Sequence, residues 1–138
     1  MSEAETGRGK VRPLHRIRVV LVGRDPHFIR VVSFLLERQG FLVASTRKPG
    51  DAMSQIERHR ANVAVVDTTS SFASAARLVA AIQALYPSVG VVAVGEDASD
   101  RISSFQVLPR WNLALLVEEV ERKYMGAKAQ KEVHLGAS

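Results

Sequence analysis

The run Ala61-Asn62-Val63-Ala64-Val65-Val66-Asp67 constrains this chain more than any other. Small and β-branched apolar residues follow one another without the polar alternation of a half-exposed strand, and the run stops at one carboxylate. A strand buried on both faces of a parallel sheet has that composition, and open α/β folds place ligands and chemistry at the carboxyl ends of such strands. A carboxylate there can hold Mg²⁺ or accept a phosphoryl group, but Mg²⁺ chemistry recruits further oxygen ligands. The matching end of the first apolar run reads Val22-Gly23-Arg24-Asp25-Pro26. Glycine and arginine therefore stand nearest the crevice, and the site is outlined but disarmed.

The rest of the chain alternates strand-like and helix-like segments. Residues 17–22 predict a first strand. Pro26 to Gln39 predicts a helix, with Phe28, Ile29, Val31, Val32, Leu35 and Leu36 as a wide apolar stripe. Asp25-Pro26 supplies an N-cap and a first-turn proline, and Gly40 supplies the stop. Residues 41–45 predict a second strand, 51–60 a short helix, and the third strand ends at Asp67. A helix over 72–85 stops at Tyr86-Pro87-Ser88 and leads into a fourth strand at 89–94. Residues 105–108 predict a weaker fifth strand and 112–124 a last helix. Such alternation implies a parallel sheet with right-handed crossovers and helices on both faces.

One connection departs from this rhythm. Only residues 95–104 lie between strands four and five, and they are polar apart from Ala98 and Ile102. A parallel crossover containing a helix needs at least about 10–12 residues. The expected helix is stunted or absent.

The chain has 138 residues, enough for one domain that buries about two thirds of its unfolded surface. No apolar run approaches the ~18 residues of a membrane span, and residues 1–7 lack the hydrophobic region of a secretory signal. There is no cysteine, so disulfides and thiolate metal sites are excluded. Together these favour the cytoplasm. The net charge of +5 divides unevenly: residues 1–18 and 122–138 carry +3 each, and the remainder −1. The basicity sits in the tails, so nucleic acid is expected as a partner only through basic arms, if at all. The expected organisation is a basic flexible tail over 1–16, a domain over 17–125 and a second basic flexible tail over 126–138. With no output domain of ordinary size after residue 125, output is expected through a partner or self-association.

Read in order, Val20-Leu21-Val22-Gly23-Arg24-Asp25-Pro26, Arg30, Leu35-Leu36, Gly40-Phe41-Leu42-Val43, the run ending at Asp67, and Val107-Leu108-Pro109 resemble the receiver domain of two-component response regulators. The resemblance covers residues 17–125. It implies an α/β fold: a doubly wound, flavodoxin-like, five-stranded parallel sheet of order 2-1-3-4-5. The helix between strands 4 and 5 is expected to be shortened or missing. The resemblance also puts Asp67 at the phospho-acceptor position. The acidic pair that holds Mg²⁺ in the family matches Gly23 and Arg24 here. The hydroxyl residue ending strand four matches Gly95, and the lysine of strand five matches Leu108, with Pro109 kept.

Phosphoryl transfer needs metal and cationic groups around the transferring oxygens, and a guanidinium at the metal's place repels the metal. Arg24 is instead expected to pair with Asp67, since a guanidinium fork suits a carboxylate. The bland readings are that Asp67 binds its own following loop and that Asp25 is an N-cap. His15, His27, His59 and His134 show no ligand spacing. Ser70-Ser71 and Ser103-Ser104 lack a His/Asp partner pattern, and Gly7-Arg8-Gly9-Lys10 lacks the strand a phosphate loop requires. No metal and no cofactor is expected.

Trp111 follows Pro109-Arg110 beside the stunted crossover. It either covers sheet left bare there or serves as an exposed anchor, and Arg110, Trp111, Ile102 and Phe105 form the expected partner surface. The resulting expectation is a non-enzymatic pseudo-receiver in bacterial signalling or cell organisation. Its expected protein partner, or second copy, docks on the strand 4–strand 5–last helix face. Its rivals are a true receiver that accepts phosphate on Asp67, and a nucleic-acid-associated protein with basic tails.

Overall fold

The computed structural model describes residues 16–96, 101–102 and 105–136. The N-terminal tail over 1–15 and Ser103-Ser104 lie outside the described residues. The chain order is β1 (Arg18–Val22), α1 (Pro26–Arg38), β2 (Leu42–Thr46), a 3₁₀ turn (Pro49–Asp51), α2 (Ala52–His59), β3 (Val63–Asp67), α3 (Phe72–Leu85) and β4 (Gly90–Gly95). Three two-residue strands follow, β5 (Arg101–Ile102), β6 (Phe105–Gln106) and β7 (Leu108–Pro109), and then α4 (Leu113–Gly136).

The five-stranded sheet has the order β2-β1-β3-β4-β7, with every pairing parallel. It is the doubly wound order that the family resemblance implies. Apolar residues alternate between the two faces of each strand, and two cores result. Val20, Val22, Ala64, Val66, Val91 and Ala93 pack with α2 and α3 on one face. Val19, Leu21, Val63, Val65, Val92 and Val94 pack with α1 and α4 on the other. The central strands β3 and β4 are apolar, save for the terminal Asp67 and the two glycines of β4, because both of their faces are covered.

Local signals explain the helix boundaries. The Asp25 carboxylate accepts from the backbone N–H of His27, and Gly40 at φ 95° ends α1 in the left-handed conformation that favours glycine. Ser71 accepts from the N–H of Ser74 to cap α3, and Asn112 accepts from the N–H of Leu115 to open α4.

Two expectations need correction. The fifth strand of the sheet is Leu108–Pro109, not residues 105–108. Phe105–Gln106 pairs antiparallel with Arg101–Ile102 in a separate ribbon, which buries Ile102 in the α2/α3 core. The described residues of this connection form a hairpin and no helix. The segment from 126, expected as a flexible tail, carries helical backbone to Gly136. Its alanines, lysines and glutamine are strong helix formers and offset the cost of Gly126.

Candidate functional site

Three side chains from three distant parts of the chain meet at the carboxyl end of the sheet. Asp67 ends β3, Asp25 caps α1, and Arg110 follows β7. The Arg110 backbone N–H donates to the Gly95 carbonyl at 2.9 Å, which turns the side chain back over the crevice between β1 and β3. Its Nε donates to Asp67 Oδ2 at 3.2 Å, and its Nη2 lies 3.1 Å from the same oxygen. Nη2 also donates to Asp25 Oδ2 at 2.9 Å. The guanidinium lies over the Phe28 ring, 4.6 Å from its centroid, and 5.3 Å from that of Trp111. Such placement over rings is favourable for a desolvated cation.

No oxygen of either carboxylate is idle. Asp67 Oδ1 accepts from the Thr69 backbone N–H at 3.1 Å and from its hydroxyl at 2.9 Å. Asp25 Oδ1 is taken by the N–H of His27. The Asp67 side chain is 1 % exposed, that of Arg110 10 % and that of Asp25 36 %. Arg110 thus neutralises a carboxylate that burial would otherwise penalise. Its hydrogen bond holds the Asp25 carboxyl below the ordinary carboxylate value, against a smaller opposing effect of burial. Burial works against the Arg110 cation, but its bonds to Asp25 and Asp67 outweigh it, and the guanidinium pKa is raised.

The predicted site residues fall out unevenly. Gly23 is buried against Asp67: a Cβ at position 23 would stand 3.1 Å from Asp67 Cβ. Since position 23 faces the acid, the next side chain turns away. Arg24 is exposed, and it makes no ion pair among the described residues. The expected Arg24–Asp67 pair is therefore corrected to an Arg110–Asp67–Asp25 triad. Gly95 packs so closely under Thr68 that a Cβ there would overlap the Thr68 hydroxyl. Leu108 faces the α1/α4 core, away from the triad.

The expected partner surface is also revised. Ile102, 2 % exposed, is core, and Arg110 belongs to the triad, so neither is presented to a partner. Phe105 is half-buried beneath the Lys123 ammonium, 4.4 Å from its ring centroid. Trp111 does not lie on bare sheet. It packs edge-on against Phe28, with centroids 5.4 Å apart, and stays 46 % exposed. Thr68, Thr69 and the inward role of Arg110 were missed. The one available signal was topological: a residue just past the last sheet strand stands at the same end as Asp67.

These residues do not fit a divalent cation. Two acids share one guanidinium, the remaining oxygen of Asp67 accepts twice from Thr69, and no group of three or more His, Asp or Glu among the described residues is arranged to hold a metal ion. The arrangement binds its own cation.

The comparisons with known proteins agree with this architecture. No protein-family model matches the sequence, and no curated protein matches it. Among solved structures, a response regulator receiver domain from Methanospirillum hungatei superposes with a TM-score of 0.73 at 20% identity, covering 84% of this chain and 99% of its own. The fold is that of response regulator receiver domains. The signal receiver domain of an HD domain-containing protein from Pseudomonas fluorescens gives 0.76 at 13% identity, over 91% of this chain and 98% of its own. A response regulator from Thermotoga maritima in complex with Mg²⁺-BeF gives 0.68 at 15% identity, over 78% and 98%. No described helix is long and apolar enough to cross a membrane.

Proposed function

We propose that this receiver-fold chain is a pseudo-receiver: a cytoplasmic, bacterial protein–protein interaction module that works without aspartyl phosphorylation. The observation that carries the reading is the Arg110 fork across Asp67 and Asp25. A guanidinium resident in the crevice supplies the positive charge that metal and lysine supply in family members that transfer phosphate. It also occupies the Asp67 oxygen that an incoming phosphoryl group would need. With the chemistry internalised, binding to a partner is what the module has left to offer. The half-exposed Trp111 and the remodelled β7–α4 face are where a partner or second copy would dock.

The test is a titration of the ¹⁵N-labelled chain with millimolar Mg²⁺ and beryllofluoride, followed by NMR. Amide shifts around Asp67 and Thr69 should not change. Saturable shifts that vanish in Asp67→Asn would overturn the reading in favour of a working phospho-acceptor.

A further inference from the structure

Among the described residues, the large apolar side chains left exposed are Phe34, Phe72, Leu85, Trp111 and Met125. Three of them gather on one side of the molecule. Phe34 stands on α1, Met125 on α4, and Trp111 at the entrance to α4, whereas Phe72 and Leu85 belong to α3 on the other face of the sheet. α1 and α4 are neighbours over one core. Each follows a strand of the same direction and returns across the same face, so the two helices run parallel.

The ring contacts of Trp111 with His27 and Phe28, at 5.8 and 5.4 Å between centroids, fix which flank of α1 looks toward α4. His27, Val31, Phe34 and Arg38 recur on that flank at helical spacing. On α4, Glu119, Arg122 and Lys123 line the cavity beside Phe105, on the side away from α1. The stripe Ala114, Glu118, Glu121 and Met125 is fully exposed on the solvent side toward α1. Phe34 is 63 % exposed and Met125 59 %. Apolar side chains grouped in this way mark an interaction surface.

The two stripes carry opposite charge. Arg38 lies 5.7 Å above the Phe34 ring on α1, and Glu118 and Glu121 stand on α4. None of the three makes an ion pair among the described residues. Arg122 is already bonded to Glu119, and Arg30 and Glu37, of opposite sign, share the far flank of α1. We infer that the chain forms a twofold dimer through the joint outer face of α1 and α4, with α1 of each copy lying over α4 of the other. The inference rests on reading the chain as an interaction module and names its partner. Apolar area alone does not choose an occupant. An isologous contact requires one surface to carry both halves of its own complement, and this face does. With the twofold axis across the helices, Glu118 and Glu121 would meet their own copies, and such like-charge contacts are costly. With the axis along the helices, Arg38 faces the second copy's Glu121. The two stand level, because Arg38 lies 11 residues past His27 and Glu121 10 past Trp111.

The test is sedimentation equilibrium of the full chain over a concentration series, with thermal unfolding to verify that each variant folds. The wild-type mass should rise from that of one chain to that of two. Phe34→Ser should raise the dissociation constant by about tenfold or more, the equivalent of about 1.4 kcal/mol. Leu85→Ser, an equally exposed apolar site on α3, should leave it unchanged. Arg38→Glu and Glu121→Arg should each weaken the dimer, and the double variant should recover most of the loss. A chain that stays monomeric throughout overturns the inference. So does a dimer weakened as much by Leu85→Ser as by Phe34→Ser, or one in which the two charge reversals do not rescue each other. Mass reports on the α1–α4 face and beryllofluoride on Asp67, so failure of one reading is distinguishable from failure of the other.

Discussion

The crevice above β1 and β3 and the outer edge of β4 belong to one sheet and are treated in opposite ways. At the crevice every carboxylate oxygen of Asp67 and Asp25 is engaged by Arg110, Thr69 or His27. At the edge, among the described residues, β7 is registered against only Val94 and Gly95, and Phe105–Gln106 lies alongside β4 without joining its ladder. Both outcomes trace to the short segment Leu108-Pro109-Arg110. Because β7 is only two residues long, it covers little of β4. Because it ends at Pro109, the next residue bonds to Gly95 and sends its side chain into the crevice. Proline has no N–H for a ladder and belongs at strand termini. The lesson is that one short segment can end a sheet and close a site at once.

The largest expected effect breaks the closed side. Arg110→Met keeps much of the side chain's length and its contact with Phe28 but leaves the buried Asp67 charge without its cation. Removing one partner of a buried pair costs about 3–5 kcal/mol, and urea unfolding at pH 7 should show it. At the sheet edge, Lys123→Glu loses a half-exposed cation–ring contact with Phe105 and should cost only about 0.5–1 kcal/mol. Equal costs at the two positions would dissolve the contrast.

A smaller effect concerns the seam between the two regions. Position 95 has room only for glycine because the Thr68 hydroxyl, and behind it Val107, fill the space a Cβ would take. Gly95→Ala should destabilise by about 1–3 kcal/mol through overpacking. Thr68→Ala in the same chain removes the obstructing oxygen, so the double variant should be more stable than Gly95→Ala alone. A double-mutant cycle measures that coupling, and simple additivity would show that the two positions are not competing for one space.

Much of this architecture was legible in the sequence because it is written locally. Asp25-Pro26 opens α1, Gly40 closes it, and the apolar run to Asp67 reads as a strand buried on both faces. Phe72 to Leu85 forms the helix its pattern predicts. The site was half legible. Asp67 and the glycine beside it stand where the strand ends suggest, but the cation was sought at Arg24, which matches an acid position of the resembled family and lies as far from Asp67 in the chain as Arg110 does. Arg110 is 43 residues from Asp67 and 85 from Asp25, and no local pattern connects them. Its neighbour Trp111 made it look like part of a binding surface. The hairpin of β5 and β6 was missed for a similar reason: two-residue strands leave no periodicity to read.

The smallest expected effect separates the exposed arm of the triad from the buried one. The Asp25 carboxyl titrates below its ordinary value of 3.8 because Arg110 hydrogen-bonds its charged form. A carboxyl whose pKa is lower in the folded chain than in the unfolded one binds fewer protons when folded. Its contribution is therefore fully present above the unfolded value and is lost as pH falls through the folded value. Asp25→Asn keeps a good N-cap and a hydrogen-bond acceptor for Arg110, but removes the charge that titrates. Wild type should be the more stable at pH 6, and the gap should close as pH falls below about 3.8, toward the lowered folded pKa. Thermal unfolding of both chains at several pH values measures it. A gap that held constant down to pH 2 would mean that Arg110 gains nothing from the charge on Asp25, leaving Asp67 alone to hold the guanidinium in the crevice.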